Sequence, residues 1–167
     1  MTVTATKLTD IALARKACAF TSGKETSNIG LATLYKCEHS PIRCILFWIE
    51  MKDIPSFVSV HFVRHKIGVE HFVKSLRDDR GGDGTEDRNS PVNHAMLINA
   101  QELIHMARKR MCNKAHPKTR EVMNMIWKAI YGIDPYLADY MGEDCQYRRQ
   151  CVEPHSCGYW DTIKGNK

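Results

Sequence analysis

The chain has 167 residues, of which 43% are apolar and 26% charged, with 10 Gly and 6 Pro. This composition excludes a disordered, collagen-like or low-complexity protein and is sufficient for one domain with its own core. We expect no membrane span and no signal peptide, and hence a cytoplasmic location, or the host cytoplasm if the source is viral. The net charge of +5 favours an anionic ligand but does not predict a nucleic-acid-binding surface.

Hydrophobic periodicity predicts an α-rich chain with a small sheet. The predicted helices are Leu8–Phe20, Ser27–Lys36, Ser56–His65, Pro91–Cys112, Pro117–Tyr131 and Pro135–Met141. Thr9 and Ser90 are expected to cap the first and the longest of these helices. The run Ile45–Met51 predicts a strand, and the glycines within residues 80–90 predict a flexible loop. Together these elements predict a single α+β domain, a small antiparallel or mixed sheet surrounded by helices.

Seven cysteines fall into two groups. Four are expected to pack as small apolar side chains, namely Cys18, Cys37, Cys44 and Cys112. Cys145, Cys151 and Cys157 recur in a C-terminal tail, residues 142–167, together with His155, and three thiols with one imidazole could bind zinc. Because the tail contains no Cys-x-x-Cys pair, we predict no metal site, and nothing else indicates the oxidising compartment that disulfides require.

Basic and hydroxyl side chains recur between residues 64 and 77. Arg64–Lys66 (Arg-His-Lys) follows a predicted helix, and Ser75 and Arg77 lie on an extended segment. An Arg offers a planar fork to a phosphate, a Lys offers a point charge, and a Ser offers a short hydroxyl donor. The pattern predicts an anion site, although a solvated basic surface would have the same composition.

A second polar pair lies within the longest predicted helix. At about 100° per residue, Asn99 and Arg110 lie on one helix face, with Leu103 and Met106 between them on nearly the same stripe. Polar ends with an apolar middle are typical of a pocket wall. The alternative is an Asn that acts like a helix cap or lies at the surface, with an Arg whose stem lies along the protein surface.

These stretches together resemble the flavin-dependent thymidylate synthases. The family's Arg-His-Arg motif and its later Ser-x-Arg are similar to Arg64–Lys66 and Ser75–Arg77. Its helix with Asn-Ala, His-Phe and a following Arg is similar to Asn99–Arg110. Upstream, Glu38–Pro41 resembles the family's His and Ser/Thr-Pro, and the three-cysteine tail resembles the C-terminal ends of some members. The likeness extends from about Leu31 to Cys157.

The resemblance implies an enzyme that binds FAD and methylates dUMP to dTMP, with methylenetetrahydrofolate as carbon donor and NADPH as reductant. It also implies a homotetramer with active sites between subunits and no cysteine nucleophile. The residues implied to contact FAD are Arg64, His65, Lys66, Asn99, His105, His39 and Ser40. Those implied to contact dUMP are Ser75, Arg77 and Arg110. Of these, Ser75 would act near the pyrimidine and Arg110 would stabilise negative charge developing on it.

Departures from the family pattern cluster around the implied substrate site. Lys66 replaces the second Arg of Arg-His-Arg, so a fork becomes a point charge. The segment between Arg77 and Asn99 is short and lacks an alignable substrate Arg, for which Arg80 or Arg88 could substitute. Three alternatives therefore remain: a relative that transfers a different group to a pyrimidine nucleotide or to a pyrimidine in DNA, a non-catalytic flavin- or nucleotide-binding protein, and an unrelated α+β domain.

Overall fold

One antiparallel sheet organises the chain, of which the structure, a computed structural model, describes residues 1–165. Its strands are Thr2–Lys7 (β1), Leu46–Pro55 (β2), Val69–Val73 (β3) and Pro91–Asn99 (β4), in the order β1-β2-β4-β3. The helices are Ile11–Thr21 (α1), Leu31–Cys37 (α2), Ser56–Phe62 (α3), Ala100–Arg110 (α4), Pro117–Tyr131 (α5), Pro135–Ala138 (α6), Asp144–Arg148 (α7) and Tyr159–Ile163 (α8). Short 3₁₀ turns span Ser40–Cys44 and Asp78–Arg80. The predicted α+β fold is confirmed.

The hydrophobic core lies between one face of the sheet and the helices. Along β2, Phe47, Ile49 and Met51 are fully buried, whereas the alternate side chains Trp48 and Glu50 are partly exposed. This period of two is typical of an antiparallel sheet that is covered on one face. Helix α3 contacts β2 and β4 on that face, and α5 contacts β1. No helix among residues 1–165 is long and apolar enough to cross a membrane.

The prediction of one helix over Pro91–Cys112 is wrong. Residues Pro91–Asn99 form β4, the central strand that pairs with both β2 and β3, and only Ala100–Arg110 is helical. The inward side chains of β4 are Val92, His94, Met96 and Ile98, which alternate with more exposed neighbours. Pairing on both sides therefore overrides the local helical periodicity. Ser90 consequently precedes a strand and caps no helix.

The remaining boundaries differ from prediction for local reasons. Helix α1 begins after Asp10, whose carboxylate accepts from the Ala12 amide at 2.8 Å, so Asp10 and not Thr9 is the cap. The Thr9 hydroxyl instead donates to the Cys44 carbonyl and accepts from the Leu46 amide, joining the start of α1 to β2.

Other predicted segments keep their type but change in extent. The second helix begins at residue 31 instead of 27, the third ends at 62, the last ends at 138, and α5 has the predicted bounds. The strand expected over 45–51 continues to Pro55 through a bulge, and β1 and β3 were not predicted. The loop expected over 80–90 lies between β3 and β4, and its flexibility stays a prediction. Of the predicted tail, residues 166 and 167 lie outside the described part of the chain.

Asn99 is the junction between the central strand and α4. Its Oδ1 accepts from the Glu102 amide at 2.9 Å and thereby caps the helix. Its backbone amide donates to the Gly68 carbonyl, also at 2.9 Å. Gly68 adopts φ +79°, and a Cβ there would lie 2.5 Å from the Asn99 Nδ2. The turn before β3 and the start of α4 are therefore packed against each other, and Gly68 permits both the conformation and the approach.

We expect Asn99→Ala to lower the free energy of unfolding by about 1 kcal/mol, because the first turn of α4 loses its side-chain acceptor. Asn99→Asp restores that acceptor and should retain most of the stability. Urea denaturation of the two variants beside the wild type measures the difference. Equal losses in both variants would contradict a capping role.

Candidate functional site

A carboxylate, an imidazole and a guanidinium meet beside α4. The Nδ1 of His65 lies 2.7 Å from the Oε1 of Glu102, and the Nε of Arg110 donates to the Nε2 of His65 at 3.1 Å. Glu102 is 7% exposed, and His65 and Arg110 are partly buried. Because the Nε2 of His65 accepts from Arg110, the ring proton resides on Nδ1, where it is donated to Glu102. The imidazole is thus held from both sides, by Glu102 at Nδ1 and by Arg110 at Nε2.

Glu102 is available to His65 because of how α4 begins. An Asn cap followed three positions later by Glu commonly forms a capping box, in which the Glu carboxylate returns to the amide of the cap residue. Here that amide, of Asn99, already donates to Gly68, so the carboxylate of Glu102 turns to His65. Glu102 also lies in the first turn of α4, where the helix dipole favours a negative charge.

Arg110 forms no ion pair with an acidic side chain among residues 1–165. Its Nη2 donates to the His61 carbonyl at 2.6 Å and its Nε donates to the His65 ring, so its protein partners are an imidazole and a backbone oxygen. Burial lowers the pKa of Arg110, and the positive charge of Arg64 acts in the same direction. Among residues 1–165, the ion pairs include none of Arg64, Lys66 and Arg110. The arrangement therefore attracts an anion.

Further cationic and aromatic residues border this cluster. His61 Nδ1 lies 2.7 Å from the Thr119 hydroxyl of α5. Burial lowers the pKa of His61, and the charges of Arg110, Arg64, His116 and Arg88 lower it further. The guanidinium of Arg88 lies over the ring of Phe57, 5.2 Å from its centroid, and that ring contacts His61. The loop before β4 thus brings Arg88 to Phe57 beside His61, whereas Arg80 is exposed and faces Asp79 at 4.0 Å.

A groove near α1 and α2, together with polar contacts on α4, continues the polar surface beyond the Glu102–His65–Arg110 cluster. His39 and Ser40 line a groove of about 760 Å³ between the end of α1 and the turn after α2. Gln101 Nε2 lies 3.4 Å from the Glu38 carboxylate and 3.3 Å from His105 Nε2. The His105 ring lies 3.6 Å from Glu102. Polar contacts therefore run from the groove, along α4, to the Glu102 cluster.

Ser75 and Arg77 lie elsewhere. They follow the end of β3 at Val73, which pairs with His94, whereas the start of β3 at Val69 pairs with Ile98 next to α4. His71, in the middle of β3, contacts the His65 carbonyl, and Ser75 lies four residues farther along the chain, roughly 13 Å at about 3.3 Å per residue. Arg77 is exposed and forms a bidentate pair with Asp79. Within residues 1–165, no hydrogen bond joins Ser75 or Arg77 to His65 or Arg110.

Two interpretations made from the sequence are corrected by burial. Leu103 and Met106 are fully buried in the core, so they do not form a pocket wall between Asn99 and Arg110. Both ends of α4 nevertheless contact the segment that carries His65, through Asn99 at one end and Arg110 at the other. Cys18 and Cys44 are partly buried and pack against the core as predicted, and Cys112 is partly buried, whereas Cys37 is exposed and does not pack in the core.

Glu102, the residue that orients His65, was not predicted from the sequence. The Asn99–Glu102 spacing is the signal that could have indicated it, if the helix had been predicted to start at residue 100.

A chain of hydrogen-bonded side chains that supports the His65 turn was not predicted either. His71 Nε2 lies 2.8 Å from the His65 carbonyl, and its Nδ1 lies 2.9 Å from His94 Nε2. The Nδ1 of His94 reaches the Ser59 hydroxyl at 3.1 Å, so α3, β4 and β3 all support the His65 turn.

Two crystal structures of thymidylate synthase X from Helicobacter pylori with FAD and dUMP share this fold. One superimposes with a TM-score of 0.69 over 84% of this chain and 99% of the other, and the second with 0.70 over 86% and 100%. The sequence identity is 15% in both comparisons. No protein-family model and no curated protein matches the sequence. The chain therefore has the fold of a flavin-dependent thymidylate synthase.

The buried His94 predicts a specific loss of stability in acid. Burial, with a smaller contribution from the charge of His71, lowers the pKa of His94 to about 4. The unfolded chain binds this proton at a pKa of about 6.5, so the contribution is complete above that pH and is lost as the pH falls toward 4. The shift corresponds to about 3 kcal/mol.

We expect His94→Asn to show a smaller fall in unfolding free energy between pH 7 and pH 4.5 than the wild type, measured by urea denaturation at each pH. Other groups titrate in both proteins, so the difference between them isolates His94. The exposed His155, changed to Asn, is the matched control and should follow the wild type. A wild-type profile in His94→Asn would contradict the assignment.

Proposed function

We propose that this protein binds FAD and a pyrimidine nucleotide and methylates dUMP to dTMP, with methylenetetrahydrofolate as carbon donor and NADPH as reductant. The observation that carries the proposal is the Glu102–His65–Arg110 cluster, which presents an unneutralised guanidinium on this fold. The Helicobacter pylori structures with the same fold contain FAD and dUMP.

The side chains of this chain fit a dinucleotide cofactor. The exposed cations Arg64 and Lys66 flank His65 and offer a fork and a point charge to phosphates. The groove lined by His39 and Ser40, at about 760 Å³, lies within the range of about 300–1,000 Å³ common for ligand sites. We propose that these four residues, with His65, Asn99 and His105, bind FAD. When bound, the flavin supplies the hydride chemistry of the methylation.

Arg110 is proposed to bind dUMP and to stabilise negative charge on the pyrimidine during the reaction. Preorganised charge is effective because it needs no rearrangement when the substrate's charge develops. The bonds from Arg110 to His65 and to the His61 carbonyl supply that preorganisation. Glu102 acts one step removed, by keeping the His65 ring in the tautomer that accepts from Arg110.

Arg88 is the proposed replacement for the substrate arginine that the short segment lacks. Its guanidinium lies on Phe57, whose ring contacts His61, and the His61 carbonyl accepts from Arg110, whereas Arg80 faces Asp79 in an exposed turn. An arginine held on an aromatic face keeps its donors free for a phosphate.

Ser75 and Arg77 are proposed to complete the site of a second copy of the chain, in a homotetramer. Among residues 1–165, no hydrogen bond joins either residue to His65 or Arg110, which supports this proposal. The edge strand β3 and the preceding turn also expose Ile67 at 85% and Phe72 at 52%. Apolar side chains exposed at that level beside an unpaired strand edge are suited to an interface.

A flavin spectrum and a tritium-release assay test the proposed activity. The purified protein should be yellow or become so with FAD, and 5-tritiated dUMP with folate and NADPH should release tritium with formation of dTMP. A protein that cannot be loaded with FAD would refute the proposal. A flavoprotein whose product carries a different group on the pyrimidine would instead establish the divergent relative.

Two arginine variants test the proposed role of Arg88 in the same assay. Arg88→Ala should raise the KM for dUMP at least tenfold, because loss of a phosphate contact costs about 1.4 kcal/mol or more. The matched variant Arg80→Ala should behave as the wild type. Comparable effects in both variants would show that the loop as a whole matters, and not the position of Arg88.

Mixing two inactive variants tests whether the site lies between copies. Arg110→Ala and Arg77→Ala should each be inactive alone and regain part of the activity when co-expressed, because some assembled sites then receive both native arginines. The control is co-expression of Arg110→Ala with His65→Ala, which alter groups in contact within one chain and should not complement. Failure of the first pair would place Arg77 in the same chain's site or outside it.

A further inference from the structure

Four of the seven cysteines line one small cavity at the C-terminal end of α4. Cys112 follows α4, Cys145 lies on α7, and Cys151 and Cys157 lie in the irregular tail. All four thiols line a cavity of about 20 Å³. Roughly 10–15 Å³ is needed for one water-sized occupant, so the cavity is large enough for a single ion and too small for an organic ligand.

The tail around this cavity has almost no hydrophobic core of its own. From residue 145 to 165 every side chain is at least partly exposed, and α7 and α8 have five residues each. Helices of that length do not persist without tertiary support. A segment with so little buried apolar surface commonly depends on a disulfide or a metal ion, and the seven cysteines are free.

A buried donor supports negative charge at the same place. Arg108 lines this cavity, is 7% exposed, and leaves its Nε without an acceptor among residues 1–165. Its two Nη groups pair with Glu38, and its guanidinium lies 3.5 Å from the centre of the Tyr147 ring. A buried unpaired N–H is costly, and thiolate sulfur is an acceptor of suitable charge.

We propose that Cys112, Cys145, Cys151 and Cys157 bind one zinc ion, which ties the tail to the end of α4. Four thiolates in tetrahedral geometry are a standard structural zinc site, and zinc is the divalent ion that such a soft set favours. Among residues 1–165, no three His, Cys, Asp or Glu side chains already form a metal-binding group, so the thiols must close on the ion. Cys151 and Cys157 lie outside helices and strands, where that adjustment is least constrained.

The proposal is independent of flavin and nucleotide binding and is tested without either. The chain, purified under reducing conditions, should contain about one zinc per molecule by elemental analysis. Replacement by cobalt(II) should produce thiolate-to-cobalt charge-transfer absorption and the visible bands of a tetrahedral site. Cys112→Ser and Cys151→Ser should abolish or strongly weaken both signals. Cys18→Ser and Cys37→Ser, which lie outside the cavity, should retain them.

Limited proteolysis gives a readout of the structural role in the wild type. Removal of the metal with a chelator should expose residues 145–165 to cleavage, and added zinc alone should restore protection. Absence of bound metal together with no thiolate–cobalt absorption would overturn the proposal. Disulfides among the four cysteines in the freshly purified protein, or an equal loss of cobalt signal in Cys37→Ser, would also overturn it.

Discussion

The start of α4 constrains the rest of the molecule more than any other point. At Asn99 the central strand becomes a helix, and one residue serves the sheet, the helix cap and the turn at Gly68. The amide of Ala100 also donates to the Ile45 carbonyl at 2.9 Å, which ties the junction to the start of β2. Because the junction is held from three sides, the direction of α4 is set, and with it the position of every group on its polar face.

That direction explains how a buried carboxylate can serve a surface site. Glu102 lies in the first turn of α4, where the helix dipole favours its negative charge. Its carboxylate contacts the His65 ring, which accepts from Arg110, so Glu102 orients Arg110 through the imidazole. The chain from His65 through His71 and His94 to Ser59 supports the same turn from below. Because Arg110 donates to an imidazole and to a backbone carbonyl, no acidic side chain among residues 1–165 pairs with its charge. An unpaired guanidinium of this kind favours an anionic ligand.

The two ends of α4 serve different purposes. The groups proposed for the flavin and the nucleotide lie along α4 from Asn99 to Arg110, whereas Arg108 and the following Cys112 lie beside the tail. The buried pair between Arg108 and Glu38 connects these regions, since Glu38 precedes His39 of the groove and contacts Gln101. The tail therefore packs against the same helix that orders the proposed active site.

The sequence by itself determined the class of fold, the bounds of α5 and the region of β2, because those features depend on local pattern. It did not reveal that 91–99 is a strand, since strand pairing is decided by partners distant in sequence. Only the tertiary structure showed Glu102 beside His65, Arg88 on Phe57 beside His61, and Cys112 with the tail cysteines. These groups are separated along the chain and meet because the sheet and α4 place them together, a relation that no local periodicity encodes.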